Sequence, residues 1–272
     1  MKINDLAKGH TPKILLFDLE TSPVEALVWG LWKQRISPES VIKDWSCLSW
    51  SAKWLSASEV MGESVTPEEA MNRTDKSIMK NLWNLIDESD IIMAHNGYKF
   101  DRRKMNARFI LNGLKPPSPY QIIDTLKESR KLFAFSSHKL DYLGKLLVSR
   151  QKLETNYKLW KRCIGVFGEE EAKSALSEML TYCKGDVSLL EEVYIEIRPW
   201  IQSHPNLGLY YDIVDEVCPV CGSDDLHWKG FYYTPAGRYR AFRCENCGAI
   251  GRSRYVDISP DQRRKLVRSV AR

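Results

Sequence analysis

The sequence predicts an α/β sheet domain followed by a small cysteine-held module, and three observations carry that expectation. Short apolar runs alternate with helix-spaced segments over the first two hundred or so residues. Four of the seven cysteines fall into two CxxC pairs near the C-terminal end. At 272 residues, with 43% hydrophobic and 28% charged side chains, the chain has enough material for one substantial core and one accessory unit. The expected boundaries are 1–212 for the sheet domain, 213–258 for the cysteine module and 259–272 for a basic tail.

Lys13 to Phe17 is a branched apolar run ending at Asp18, the pattern of a buried strand whose far end opens to solvent. Ala26–Trp32 and Trp45–Trp54 are expected as neighbouring strands. Ser77 to Ile86 has helical spacing at Ile78, Leu82, Leu85 and Ile86, and Ile91–Ala94 follows as a strand. Asp101–Leu111 is expected to be helical and to stop at Gly113 and the prolines beyond it. Tyr120–Ile123 reads as a strand, and Leu140, Leu143 and Leu147 as a helix entered through Ser136 and Ser137. Ala172–Leu180 and Val187–Ile197 read as two further helices.

Charge is uneven. From Lys229 to Arg272 there are 11 Lys and Arg against 3 acids, while the whole chain carries a net charge of +5. A basic end on an otherwise slightly acidic chain points to a polyanionic partner. No apolar run approaches the roughly 20 residues of a membrane helix, and Met1 to Thr11 lacks the apolar core of a secretory signal. A cytoplasmic protein with no membrane partner is the expectation, and with it cysteines that bind metal rather than form disulfides.

Three weak acidic signals recur in order. Asp18 and Glu20 are separated by one residue on a strand, so both project from one face. Asp101 opens a helix after the strand Ile91–Ala94, where capping is the ordinary role of Asp. Tyr182 and Asp186 are four residues apart and share one face of a helix. Each has a bland explanation alone, as a solvated loop entry, a helix cap or a core tyrosine with a surface acid.

Taken together, from about residue 13 to 198, the segments Asp18-Leu19-Glu20, Asn96 to Asp101 and Tyr182 to Asp186 resemble the three motifs of the DEDD exonucleases of the ribonuclease H-like superfamily. Tyr182 four residues before Asp186, with Thr181 where the other branch carries His, matches the DEDDy subtype. The resemblance implies a mixed sheet flanked by helices and 3′–5′ hydrolysis of phosphodiesters. It also implies two Mg²⁺ or Mn²⁺ ions, one held by Asp18, Glu20 and Asp186 and the other by Asp18 and Asp101. Tyr182 would orient the attacking water, since a free phenol titrates near pH 10 and is better suited to positioning than to proton abstraction. Four acids without His or Cys suit hard cations.

The expected substrate is the 3′ end of single-stranded DNA, with Asn96 and Lys184 as candidate contacts. RNA trimming by the same chemistry and a catalytically silent nucleic-acid adaptor are the alternatives. His95 and His138 lie beside these segments and are expected to be hydrogen-bonded structural residues. Trp45, Trp50 and Trp54 fall in a strand region and are expected to be buried.

Cys218, Cys221, Cys244 and Cys247 form two knuckles 22 residues apart, resembling a zinc ribbon with a closed structural Zn²⁺ site. Spacing alone does not separate zinc from iron. Aromatic runs on either side of Thr234–Gly237 predict a hairpin between the knuckles. Arg238, Arg240 and Arg243 among Tyr232, Tyr233, Tyr239 and Phe242 fit either phosphate and base contacts or a small core with solvating cations. Arg263, Arg264, Lys265 and Arg268 favour the first.

Overall fold

The computed structural model describes residues 11–33, 35–150, 155–212, 215–235 and 237–267. Residues 13–194 form one compact unit, and the chain from Ile195 onward groups into a second.

The first unit is built on a five-stranded mixed sheet, and its strands in chain order are β1 Ile14–Thr21, β2 Glu25–Ala26, β3 Val41–Lys43, β4 Cys47–Trp54, β5 Met61–Ser64, β6 Ile91–Ala94 and β7 Gln121–Asp124. The spatial order is β5-β4-β1-β6-β7, with β2 and β3 paired separately. β1 is antiparallel to β4 and parallel to β6, and β6 is parallel to β7. Being central and covered on both faces, β1 buries Ile14, Leu15, Leu16 and Phe17 in succession, which explains its unbroken apolar run.

The helices of this unit are α1 Pro67–Asn72, α2 Lys76–Glu88, α3 Asp101–Leu111, α4 Thr125–Leu132, α5 Leu140–Leu147, α6 Tyr157–Cys163 and α7 Glu169–Ile197. α1 starts at a capping box in which Thr66 and Glu69 satisfy each other's main-chain N–H groups. α2 buries Ile78, Met79, Leu82 and Ile86, each at 4% exposure or less and each contributing about 2 kcal/mol by burial. Trp50, opposite Leu19 in the ladder, sends its indole N–H to Ile78 O at 2.9 Å, so this sheet face meets α2.

Under α3, Asp75 is fully buried and accepts from Arg108 Nε at 2.6 Å, Arg108 Nη2 at 2.9 Å, Asn112 Nδ2 at 2.7 Å and Cys47 N at 2.8 Å. This pairing ties the helix to the start of β4 and compensates a charge that burial would otherwise penalise.

β1 runs to Thr21 and so carries both Asp18 and Glu20, as expected. Three sequence expectations are corrected. Ala26–Trp32 is not a strand beyond Ala26, and Leu27, Trp29, Leu31 and Trp32 are exposed. The two expected late helices are one, because α7 continues through Gly185; tertiary packing outweighs the roughly 1 kcal/mol that glycine costs a helix. α5 takes its N-cap at Lys139 without a side-chain bond, while Ser137 Oγ accepts from Lys139 N.

In the second unit, β8 Leu226–Thr234, β9 Gly237–Cys244 and β10 Ile250–Arg252 form an antiparallel sheet in the order β10-β9-β8, with the expected hairpin at 234–237. α8 Pro260–Lys265 follows, capped by Ser259 and Gln262. Arg268 lies outside the described residues.

Candidate active site

β1 outruns its parallel neighbour. β6 pairs only with Ile14, Leu15 and Leu16 and ends at Ala94, so Asp18 and Glu20 project beyond its carboxyl end. Ligands of open α/β sheets gather at that edge. On the antiparallel side Asp18 faces Ser51 and Glu20 faces Ser49, and Ser51 in turn faces Gly62 on β5. These residues keep the face shallow. A Cβ on Gly62 would stand 3.0 Å from Leu180 Cδ1 and 2.8 Å from Trp50 O, so α7 is seated against a position that only glycine fills.

That close seating delivers the third acid. Tyr182, Cys183 and Asp186 lie on the buried side of α7, Cys183 fully so and Tyr182 and Asp186 at 8% and 4% exposure. One carboxylate oxygen from each of Asp18, Glu20 and Asp186 falls within 4.8 Å of the others. Three such oxygens in one place match the donor set of a hard divalent cation.

Asp101 arrives from the strand-to-helix junction. The N-cap of α3 is Phe100, without a side-chain bond, so Asp101 is the first helical residue and does not cap the helix. It is 2% exposed, and its Oδ1 is buried with no hydrogen-bond partner among the described residues. Burial, and then the neighbouring Asp18 carboxylate, push its carboxyl well above the usual range, against main-chain donors at Asp101 and Leu19. A cation placed beside Asp18 and Asp101 would answer both the orphaned oxygen and the repulsion.

The loop entering α3 is pinned by Asp124, whose segment Asp124-Thr125-Leu126 also resembles one that follows the second motif in the DEDD family. Asp124, at the end of β7, accepts from Asn96 N at 3.1 Å, Tyr98 N at 3.0 Å and Lys127 N at 3.1 Å. It thus caps α4 while fixing the turn in which Asn96 adopts φ 77°, a conformation Asn tolerates better than most residues. The Asp-Thr-Leu-Lys pattern announces the cap, but the tie to Asn96 is tertiary.

An open cleft of about 870 Å³ is lined by Asp18, His95, Asn96, Tyr182 and Asp186 together with Arg130, Lys139 and Lys145. His95 is held between Thr125 Oγ1 and His138 O, both at 2.9 Å, and His138 Nδ1 lies 3.1 Å from Ser129 Oγ, in keeping with structural roles. Lys184 is not among the cleft residues; the helical turn carries it to a separate pocket with Glu59, Gly62 and Asn81. Trp50 is buried at 3% exposure, whereas Trp45 and Trp54 are half-buried, Trp45 lying under Lys104 Nζ at 3.5 Å.

A family model described as 3′–5′ exonuclease matches residues 35–202, more than half the chain. The chain belongs to the 3′–5′ exonuclease family. Asp101, Tyr182 and Asp186 lie inside the matched segment, and Asp18 and Glu20 precede it. Among solved structures, the family B DNA polymerase from the hyperthermophilic archaeon Pyrobaculum calidifontis is similar at 12% identity and a TM-score of 0.50. The likeness covers 70% of this chain and 25% of that polymerase. At that identity it speaks for the fold: a mixed sheet flanked by helices, the ribonuclease H-like exonuclease arrangement. No curated protein matches the chain in sequence.

In the second unit of the chain, the sulfurs of Cys218, Cys221, Cys244 and Cys247 all lie within 4.8 Å of one another. Cys218 and Cys247 are 3.7 Å apart, and Cys221 and Cys244 3.6 Å. Donors from Cys218, Cys247 and Asn246 hold the Cys221 thiol well below its usual range. A four-thiol cluster at the base of a hairpin fits a zinc ribbon.

The arginines around the cluster first serve that hairpin. Arg238 stacks on Phe231 at 4.5 Å and donates to Asp257 O, Arg240 lies 4.7 Å over Trp228, Arg252 lies 3.9 Å over Tyr239, and Arg243 Nη1 donates to Gly248 O. Arg240 and Arg243 stay exposed, as do Tyr232 and Tyr233.

Proposed function

We propose that this exonuclease removes nucleotides from the 3′ end of single-stranded DNA, with Asp18, Glu20, Asp101 and Asp186 as ligands for two Mg²⁺ or Mn²⁺ ions. The observation that carries the reading is the meeting of Asp18, Glu20 and Asp186 within 4.8 Å, from a strand and a helix about 165 residues apart in sequence. The orphaned Oδ1 of Asp101 adds an acid whose burial makes sense with a cation beside it.

Divalent cations at such a site activate water and stabilise charge on the departing oxygen. The chain supplies the rest. Tyr182, mostly buried with its edge on the cleft, hydrogen-bonds the attacking water through its hydroxyl and fixes the line of approach. Arg130, Lys139 and Lys145 draw the polyanionic strand into the cleft. Asn96, held by Asp124, presents its side chain to the same space.

Cys218, Cys221, Cys244 and Cys247 would hold a structural Zn²⁺, whose binding would serve to hold the hairpin together. Its exposed Arg240, Arg243, Tyr232 and Tyr233 are suited to contact nucleic acid in their own right.

Incubation of 5′-labelled DNA and RNA strands with the purified protein and Mg²⁺ or Mn²⁺ tests this reading. Stepwise shortening of single-stranded DNA, abolished by chelator, is expected. Preferential shortening of RNA would reassign the substrate, and intact strands of both kinds under both metals would leave the adaptor alternative.

A further inference from the structure

The segment leaving β1 carries an apolar arm that the acid cluster does not account for. Leu27, Trp29, Leu31 and Trp32 are 71%, 105%, 86% and 84% exposed. Val28 between them is exposed as well; single apolar residues on a surface are ordinary, but five in six positions, two of them indoles, mark a contact surface.

The root of the arm is fixed. Glu25 and Ala26 pair with Lys43 and Val41, Leu27 N donates to Ser40 O at 2.9 Å, and Glu25 forms an ion pair with Arg73. Ser22 N donates to Ser46 O at 2.9 Å, which ties the stretch between β1 and the arm to the entry of β4. Glu25, at the root of the arm, follows Glu20 by five residues along the chain.

The chemistry of the arm selects its occupant. Lys33 directly follows Trp32 and Arg35 comes two residues later, both exposed, and no acid lies between Leu27 and Arg35. Flat aromatic faces beside cations are the means by which proteins hold single strands, bases on the rings and phosphates on the charges. The cores of protein–protein interfaces, by contrast, are depleted of Lys.

Resting on the exonuclease reading of the acid cluster, we propose that the arm at 27–33 is a stacking platform for bases of the single strand upstream of its 3′ end, with Trp29 and Trp32 as the stacking faces. The arm therefore governs affinity for the strand, and the acids govern turnover.

Trp29→Ala/Trp32→Ala and Trp29→Phe/Trp32→Phe double variants, compared with wild type, test this on a DNA strand and on the same strand with abasic positions upstream of its terminal nucleotide. The alanine pair is expected to raise KM on the order of tenfold or more, to leave kcat within about twofold, and to lose that difference on the abasic strand. The phenylalanine pair is expected to restore most of the affinity. Wild-type turnover with an unchanged KM in the alanine pair would overturn the platform while leaving the nuclease assignment standing. A change of oligomeric state in the alanine pair, with KM unchanged, would give the arm to a second copy of the chain. Absence of wild-type turnover on every strand would remove the reading on which the platform rests.

Discussion

The Cys183 thiol lies 3.5 Å from Asp18 Oδ2 and 3.6 Å from Asp18 O, so α7 meets β1 directly at the acid cluster. Nothing larger fits between them, because Cys183 is fully buried over a face made shallow by Ser51 and Gly62. Cys183→Leu is expected to cost about 1–3 kcal/mol through overpacking, and to lower activity further by displacing Asp186 from Asp18. Cys183→Ser keeps a donor of similar size and should retain both. Thermal unfolding and strand-shortening rates on the same preparations separate the two effects.

Removal of a cluster acid should spare the fold and stop the chemistry. Asp18→Ala and Asp186→Ala are each expected to reduce turnover by at least about 10³-fold, while the metal-free protein keeps or gains thermal stability as carboxylate repulsion is relieved. Tyr182→Phe, which removes only the hydroxyl, should cost roughly 10- to 100-fold in kcat with KM little changed. Single-turnover rates alongside melting curves in chelator check these values.

Asp101 gives a pH signature whose sign is fixed by its raised carboxyl. In the unfolded chain an Asp releases its proton near pH 4, while the folded protein holds this one to higher pH. Its contribution to stability is therefore fully present below the unfolded value and is lost as pH rises through the folded value. In chelator, Asp101→Asn should become progressively more stable than wild type as pH rises across that window. Added Mg²⁺ should reverse the difference at neutral pH. Melting curves of both proteins across the acidic to neutral range, with and without metal, measure it.

The cysteine ribbon should depend on its metal. Structural zinc contributes on the order of 10 kcal/mol of binding energy to folding, so a strong chelator, or Cys218→Ser, is expected to melt β8 and β9 while the 13–194 unit keeps its transition. Near-ultraviolet dichroism from Trp228, packed 5.1 Å from Phe242, reports the ribbon. One shared transition lost on chelation would contradict the assignment.

The parts legible in the sequence are those set by local pattern. β1 and β6 read as apolar runs because central strands are covered on both faces, and α3 begins at Asp101 as expected. Patterns do not say where an apolar run goes, so Leu27 to Trp32 read as a strand although that stretch is exposed. The stretches 172–180 and 187–197 read as separate helical segments, whereas α7 passes unbroken through the motif between them, with Cys183 and Val187 fully buried. The reach of Asp124 to Asn96 and Tyr98, 28 and 26 residues away, depends on β6 and β7 being neighbours, and no window of sequence contains that. Lys184 was drawn toward the site by its place in the motif, yet the turn of the helix carries it to another pocket. The arginines of the ribbon were legible as a basic group, while their stacking on Phe231, Trp228 and Tyr239 required the register of β8 against β9.

Anomalous diffraction from crystals soaked in Mn²⁺ tests the central claim most directly. Manganese bounded by Asp18, Glu20 and Asp186, with a second ion between Asp18 and Asp101, is the predicted result. Density for manganese elsewhere on the surface, with these four carboxylates left empty at saturating metal, would contradict it.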